Sequence, residues 1–121
     1  MGNVTVSEGV VEVEITRFIT IDDVIANIQE YVDGINAVSS IQLLVIDATR
    51  CRSNISLSDL TKLKHSNKLL CERFEMFKVA IILNDPVYTA ICMVYQNLIN
   101  SDHYHLKVFS TRGAAYRWLK Y

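Results

Sequence analysis

The most reactive side chains of this sequence belong to three widely spaced cysteines, Cys51, Cys71 and Cys92. Cys51 lies between Arg50 and Arg52, and neighbouring cations lower the pKa of a thiol, which favours the nucleophilic thiolate. No histidine is close to Cys51 in the sequence to act as its base, and we interpret Cys71 and Cys92 as small buried hydrophobic residues. The cysteines are few, odd in number and include no C-x-x-C pair. This pattern is typical of a reducing compartment and predicts a cytoplasmic protein.

A second candidate for chemistry is the segment Asp102-His103-Tyr104-His105, which contains two of the three histidines. In a strand, His103 and His105 share a face, and two imidazoles with a carboxylate are suitable metal ligands. A structural zinc site requires four ligands, however, and no nearby cysteine completes the set. We therefore interpret the pair as surface histidines and predict neither a metal nor a cofactor.

Two aspartates end apolar segments that are typical of buried strands. Asp47 follows Ile41–Ile46, and Asp85 follows Val79–Leu83 with one residue between. The carboxyl ends of parallel strands are where open α/β sheets bind ligands. Asp85 precedes Pro86 and is explained as a helix cap, whereas Asp47 is suited to accept hydrogen bonds from loop amides. No glycine-rich phosphate loop, nucleophile elbow or acid–base pair accompanies them, so we predict that the protein is not an enzyme.

The segment Pro86–Ile99 contains no charged residue and predicts a helix with two apolar stripes. The first stripe consists of Val87, Ile91, Val94 and Leu98. The second, about 100° away around the helix, consists of Tyr88, Cys92, Tyr95 and Ile99. A helix that packs on a sheet needs only one stripe, so the second must contact a neighbouring helix, a partner subunit or an apolar ligand. The second stripe therefore supplies the candidate interface or ligand residues.

The elements around these residues predict an α/β fold. Two valine-rich segments, Asn3–Val6 and Val10–Ile15, predict a β-hairpin whose glutamates face solvent. Continuous apolar segments predict three parallel central strands, at Ile41–Ile46, Val79–Leu83 and His105–Phe109. Capping residues and apolar spacing predict four helices, from Thr20 to Gly34, from Ser56 to about Arg73, from Asp85 to Ile99 and from Ser110 to Lys120. The element order is β-β-α-β-α-β-α-β-α, and we expect residues 1–121 to form one domain.

Side chains in the second and fourth of these helices lead to two further expectations. Phe74 follows the apolar spacing of the second helix, which places it on that helix's inner side. Trp118 shares a helical face with Ala114 and Ala115, which predicts that it anchors the core rather than binding a ligand.

Three segments carry a resemblance to a known fold. They are Leu44-Val45-Ile46-Asp47, the junction 79–87, and the segment 108–119 with the pattern F-[ST]-x-x-x-x-A-x-x-W-L. The order of elements and these segments resemble the STAS-like fold of the sporulation anti-sigma-factor antagonist. They are most similar to small, functionally uncharacterised bacterial SpoIIAA-like proteins. The resemblance spans almost the whole chain and implies a mixed sheet with an antiparallel hairpin, but it implies little chemistry because a fold does not fix a function.

The resemblance also directs attention to phosphorylation. In STAS regulators, a serine at the start of the helix after the strand that ends in aspartate is the phosphoacceptor. Ser53 and Ser56 lie in the corresponding segment, but the D-S-S-G pattern of phosphorylated members is absent. We interpret Ser56 as a helix cap and keep both serines as phosphoacceptor candidates.

Composition and charge restrict the partners. Twelve basic against thirteen acidic residues give a net charge of −1, so no basic surplus favours nucleic acid. The longest apolar runs are far shorter than the roughly 20 residues of a membrane span, and the N-terminus lacks the pattern of a signal peptide. Residues 1–33 carry a net charge of −6 and the rest +5. We interpret the basic surplus as a solvated helix face, with a docking surface for an acidic partner or head-to-tail self-association as the alternatives.

The sequence therefore favours a non-enzymatic STAS-like domain that acts in regulation or through protein–protein contact and forms a homodimer. The alternative is a carrier or sensor that binds an apolar small molecule beside the 86–99 helix.

Overall fold

The computed structural model describes residues 4–7, 9–33, 39–72 and 74–120. The strands are β1 (Val4–Ser7), β2 (Val10–Glu14), β3 (Phe18–Ile19), β4 (Ser39–Asp47), β5 (Arg52–Ser53), β6 (Phe74–Ile82) and β7 (Tyr104–Phe109). The helices are α1 (Ile21–Asp33), α2 (Leu60–Cys71), α3 (Pro86–Ile99) and α4 (Arg112–Lys120), and a short 3-10 turn (Leu57–Asp59) precedes α2. The predicted helix ends at Gly34 and Arg73 lie outside the described residues.

The main sheet has the order β1-β2-β4-β6-β7. The pairs β2–β4, β4–β6 and β6–β7 are parallel, and the pair β1–β2 is antiparallel. Gly9 occupies the hairpin turn with φ of 80°, a backbone conformation that glycine adopts without steric cost. The predicted hairpin and the three predicted parallel strands are thus confirmed.

Side chains alternate along each strand, so both faces of the sheet carry apolar side chains, and helices cover both faces. On one face, Phe77 and Val79 of β6 pack with Leu60 of α2 and with Tyr95 and Ile99 of α3. The opposite face packs against α4, where Ala80 and Ala115 are both fully buried and allow close contact between strand and helix. The first of these faces carries the candidate site.

The N-terminus of α1 shows how local sequence fixes a helix start. The Thr20 amide donates to Asp23 Oδ2 at 2.9 Å, and the Asp23 amide donates to Thr20 Oγ1 at 3.2 Å. Each side chain thus satisfies a backbone donor that has no partner within the helix, which confirms the predicted cap at Thr20.

Two expectations about individual residues were wrong, and one element was not anticipated. Phe74 does not extend α2 but begins β6, where its side chain is buried. Glu12 does not face solvent, because its carboxylate accepts hydrogen bonds from Arg112 and from the Tyr116 hydroxyl of α4. The small parallel sheet of β3 and β5 was not predicted at all, since two-residue strands leave no periodic signal in a sequence.

Trp118 packs against the cluster on the α4 face but stays partly exposed. Its ring centroid lies 5.6 Å from that of Phe109, and the Lys78 ammonium lies 4.8 Å from the Trp118 ring centroid. The tryptophan therefore contributes to packing as predicted, although water reaches part of its surface.

The strand β7 is the edge of the main sheet, and polar side chains at the end of α3 contact its backbone. The Leu106 amide donates to Asn100 Oδ1 at 2.8 Å, and the Val108 amide donates to Gln96 Oε1 at 3.2 Å. These two bonds attach the C-terminal half of α3 to β7.

Candidate functional site

The start of α3 is fixed by the residues predicted from sequence. Asp85 Oδ1 accepts hydrogen bonds from the Val87 amide at 2.8 Å and from the Tyr88 amide at 3.2 Å. Pro86 occupies the first turn, where its missing amide leaves no donor unpaired. This cap sets the direction of α3 as it leaves the carboxyl end of β6.

The second apolar stripe of α3 faces the interior of the same chain. Tyr95 and Ile99 are 3% and 8% exposed, and Tyr88 and Cys92 are partly buried. Asn67 of α2 donates a hydrogen bond to the Tyr95 hydroxyl, so a neighbouring helix covers this part of the stripe. Burial within one chain removes Tyr95 and Ile99 as candidates for a contact between subunits.

The first stripe, which was expected to pack on the sheet, is mostly exposed. Val87, Val94 and Leu98 are 65%, 44% and 43% exposed, and Met93 beside them is 52% exposed. Within this stripe, Ile91 alone is partly buried against the core. The helix is therefore rotated about its own axis relative to the prediction. The two tyrosines point inward, where their rings bury a large apolar area and their hydroxyls have hydrogen-bond partners.

An apolar cavity of about 220 Å³ lies between this inward stripe, the helices α1 and α2, and the sheet. Its floor consists of strand residues with aliphatic or aromatic side chains, namely Leu44, Ile46, Phe77, Val79, Ile81 and Leu106. Its roof consists of helical residues, namely Val24, Ile28, Leu60, Leu63, Tyr88, Ile91, Cys92 and Tyr95. The cavity lies where the sequence placed an apolar ligand, beside the 86–99 helix. Three of the four residues of the second stripe line it, namely Tyr88, Cys92 and Tyr95.

One end of the cavity is closed by the loop after β4 and by the small sheet. Ala48, Cys51, Ser53 and Ile55 line this end, together with Ile19 of β3. The Tyr88 hydroxyl donates a hydrogen bond to the Ser53 carbonyl, which joins α3 to the loop. The loop itself turns through Asp47, whose Oδ1 accepts from the Thr49 amide at 3.1 Å and from the Thr49 hydroxyl at 2.7 Å, as expected for an aspartate at a strand end.

The polar side chains around the cavity are engaged within the protein. Ser53 Oγ accepts a hydrogen bond from the Ile55 amide at 3.1 Å, and Asn67 is bonded to Tyr95. Among the described residues, no buried side-chain nitrogen or oxygen lacks a hydrogen-bond partner. The lining therefore offers a ligand mainly apolar contact.

Both cysteines that line the cavity are weak nucleophiles. Burial raises the pKa of the Cys92 thiol to about 11. Burial also raises the pKa of Cys51, and the opposing effect of the positive charge on Arg17 is smaller. The net direction of the Cys51 pKa shift is therefore opposite to the lowering that nearby cations can produce.

The two serines predicted as phosphoacceptor candidates have different environments. Ser53 lies in β5, is partly buried and faces the cavity. Ser56 is exposed at the start of the 3-10 turn, where its amide donates to Asp59 Oδ2 at 2.9 Å. Phosphorylation of either residue stays a prediction.

The histidine pair does not form a cluster of potential metal ligands. His103 precedes β7, and its Nδ1 lies 3.0 Å from the Glu75 carbonyl oxygen, whereas His105 lies within the strand. In the part of the chain that the structure describes, no group of three or more histidine, cysteine or acidic side chains could hold a metal ion. None of the described helices is long and apolar enough to cross a membrane.

Comparison with known proteins gives a structural relative. No protein-family model matches the sequence, and no curated protein matches it. The structure is similar to a crystal structure from Shewanella loihica PV-4, described as an uncharacterised protein of the DUF3478 family with a SpoIIAA-like fold, with a TM-score of 0.64. The match covers 97% of this chain and 90% of the other, at 16% sequence identity. The chain has a SpoIIAA-like fold.

This SpoIIAA-like fold confirms the mixed sheet implied by the three sequence segments. At so low an identity, the likeness establishes the architecture and no activity.

Proposed function

We propose that the protein is a non-catalytic carrier or sensor that binds an apolar small molecule in the cavity beside α3. The observation that carries this proposal is the cavity of about 220 Å³, surrounded by aliphatic and aromatic side chains. Small-molecule sites are concave and largely apolar, with few polar groups, which describes this cavity.

Burial of an apolar ligand would supply the binding energy. Apolar surface removed from water is favourable by about 25 cal/mol per Å², and the lining of this cavity is mainly aliphatic and aromatic. A ligand that bound only the folded chain would therefore stabilise the folded state.

The chemistry of the lining supports binding without catalysis. The thiols of Cys51 and Cys92 stay protonated at neutral pH, because burial raises the pKa of both. Ser53 and Asn67 are already hydrogen-bonded within the protein. Two free thiols also fit a reducing compartment, which favours a cytoplasmic location.

Filling the cavity tests the proposal. We expect Cys92→Phe to place a ring in the cavity, to raise the melting temperature by a few degrees and to weaken the binding of octanol at least tenfold. Met93→Phe is the matched control, because the next residue along α3 is 52% exposed and does not line the cavity. Thermal unfolding and a titration of octanol followed by amide chemical shifts measure both effects. Saturable octanol binding that is unchanged in Cys92→Phe would contradict a site in the cavity.

We propose a second function, contact between two copies of the chain, on the basis of the outer surface of α3. This surface exposes Val87, Met93, Val94 and Leu98 on a helix without a charged residue. Contiguous apolar surface of this kind is typical of interaction sites, and a symmetric dimer would bury the patch against its own copy.

The dimer has its own test. We expect Val94→Glu to stay folded by circular dichroism, because Val94 is already 44% exposed. A buried unpaired carboxylate is unfavourable by several kcal/mol, so the variant should sediment as a monomer while the unmodified protein sediments as a dimer. Ala26→Glu, at an exposed position of α1, is the control and should leave the dimer intact. A monomeric unmodified protein would disprove self-association through α3.

A further inference from the structure

The lining of the cavity contains one deeply buried polar side chain, that of Asn67 in α2. Asn67 is 5% exposed and lines the cavity, and the other described residues that are buried to this degree are all hydrophobic. Burying an amide is unfavourable unless its polar groups are hydrogen-bonded. An asparagine at this position therefore needs a partner for each end of its amide.

The protein provides a partner for one end of the Asn67 amide. Asn67 Nδ2 donates a hydrogen bond to the Tyr95 hydroxyl, whereas Asn67 Oδ1 accepts none from any described residue. No fully enclosed side-chain nitrogen or oxygen in the described part of the chain lacks a partner, so an oxygen without one has to be within reach of a water-sized molecule. Because Asn67 lines the cavity, the cavity is the space in which such a molecule can lie.

The rest of the lining restricts the charge of a group that could bind to Asn67 Oδ1. The described residues that line the cavity include no aspartate, glutamate, histidine, lysine or arginine. An ammonium group would therefore be buried without a counter-ion, which is strongly unfavourable. A carboxylate has no proton to donate and would place negative charge against the amide oxygen. A neutral hydroxyl donates one hydrogen bond and carries no charge, so it suits this position.

We propose that the ligand is a neutral apolar molecule with one hydroxyl group, and that Asn67 Oδ1 accepts a hydrogen bond from this hydroxyl inside the cavity. This inference rests on the proposed ligand-binding function and specifies its ligand class. The hydrogen bond to Tyr95 holds the other end of the amide and so orients the oxygen. Phe77, Tyr95 and Tyr104 also line the cavity, and their rings provide contact area for the apolar body of the ligand.

Two probes of similar size and shape test the proposal, 4-ethylphenol and 4-ethyltoluene, which differ only by a hydroxyl in place of a methyl group. Both are slightly larger than benzene, which an apolar cavity of about 150 Å³ binds, and the cavity here has a volume of about 220 Å³. We expect Asn67→Leu to weaken the binding of 4-ethylphenol about tenfold, because the buried hydroxyl then lacks a partner. The binding of 4-ethyltoluene should not change. Titrations followed by amide chemical shifts measure both affinities.

Asn97→Leu is the matched control for Asn67→Leu. Asn97 is exposed on α3 and does not line the cavity, so the same substitution there should leave both affinities unchanged.

A second variant separates ligand binding from an effect on the fold. Asn67→Leu leaves the Tyr95 hydroxyl without its donor, so the titrations are repeated in Asn67→Leu/Tyr95→Phe, from which both partners of that hydrogen bond are absent. Relative to Tyr95→Phe alone, 4-ethylphenol should again lose about tenfold in affinity. In the unmodified protein, NOEs between bound 4-ethylphenol and the side-chain amide protons of Asn67 should locate the ligand without any substitution.

The outcomes separate this inference from the proposal on which it rests. Binding of both probes that Asn67→Leu leaves unchanged, or weakens equally, would overturn the inference and leave the apolar site intact. NOEs from 4-ethylphenol to Ser53 or Cys51 without any to Asn67 would also overturn it, since the ligand would then lie at the loop end of the cavity. If neither probe binds the unmodified protein, the inference fails, and the proposed function fails with it unless octanol binds.

Discussion

Replacing Tyr95 by glutamate is expected to unfold the protein. Tyr95 is 3% exposed in α3, and its hydroxyl is bonded to Asn67 of α2. A carboxylate at this position would be buried without a cation, because the surrounding lining is apolar. An uncompensated buried charge typically costs about 3–5 kcal/mol, a large part of the stability of a small protein. Circular dichroism at room temperature should show loss of the folded signal or a strongly lowered melting temperature.

Tyr95→Phe is the control for this experiment. It removes the hydroxyl and keeps the ring, so it leaves the Asn67 amide short of one partner at a cost of about 1–3 kcal/mol. The variant should fold and melt at a moderately lower temperature. A folded Tyr95→Glu protein with an unchanged melting temperature would show that the second stripe of α3 faces outward, contrary to the structure.

Phe77→Ala is expected to have the second largest effect, a loss of about 3–5 kcal/mol in the free energy of unfolding. The Phe77 side chain is fully buried in β6. Its ring centroid lies 5.1 Å from that of Phe74 and 5.5 Å from that of Tyr104, so truncation removes contacts on two sides. It also enlarges the cavity that Phe77 lines.

Phe18→Ala is the matched control for Phe77→Ala, because Phe18 is 53% exposed in β3. Its truncation should change the free energy of unfolding by no more than about 0.5 kcal/mol. Chemical denaturation of both variants measures the difference directly. Similar losses in the two would contradict the packing described for β6.

The helices and main strands were predictable because their signals are local. The apolar segment that ends in Asp47 and the proline after Asp85 each predict an element from a few consecutive residues. Phe74 was misassigned because one aromatic residue fits both the spacing of a helix and the start of a strand. Glu12 was misassigned because its partners in α4, Arg112 and Tyr116, are about a hundred residues away in the sequence.

The candidate site was predictable only in part. The sequence identified two apolar stripes on α3 but contained no signal for which stripe faces inward, since both are uncharged. The orientation is settled by partners in distant segments, Asn67 for Tyr95 and the Ser53 backbone for Tyr88. The cavity is likewise formed by side chains from many separate elements.

The hydrogen bonds between α3 and β7 affect how the protein behaves at high concentration. An uncovered edge strand can pair with a strand of another molecule, and such pairing leads to open-ended aggregation. Gln96 and Asn100 already occupy the amides of Val108 and Leu106, so an incoming strand would have to displace both. Strand pairing between native molecules at β7 is therefore disfavoured, and the exposed apolar surface of α3 can take part in side-chain contacts without adding a strand at this edge.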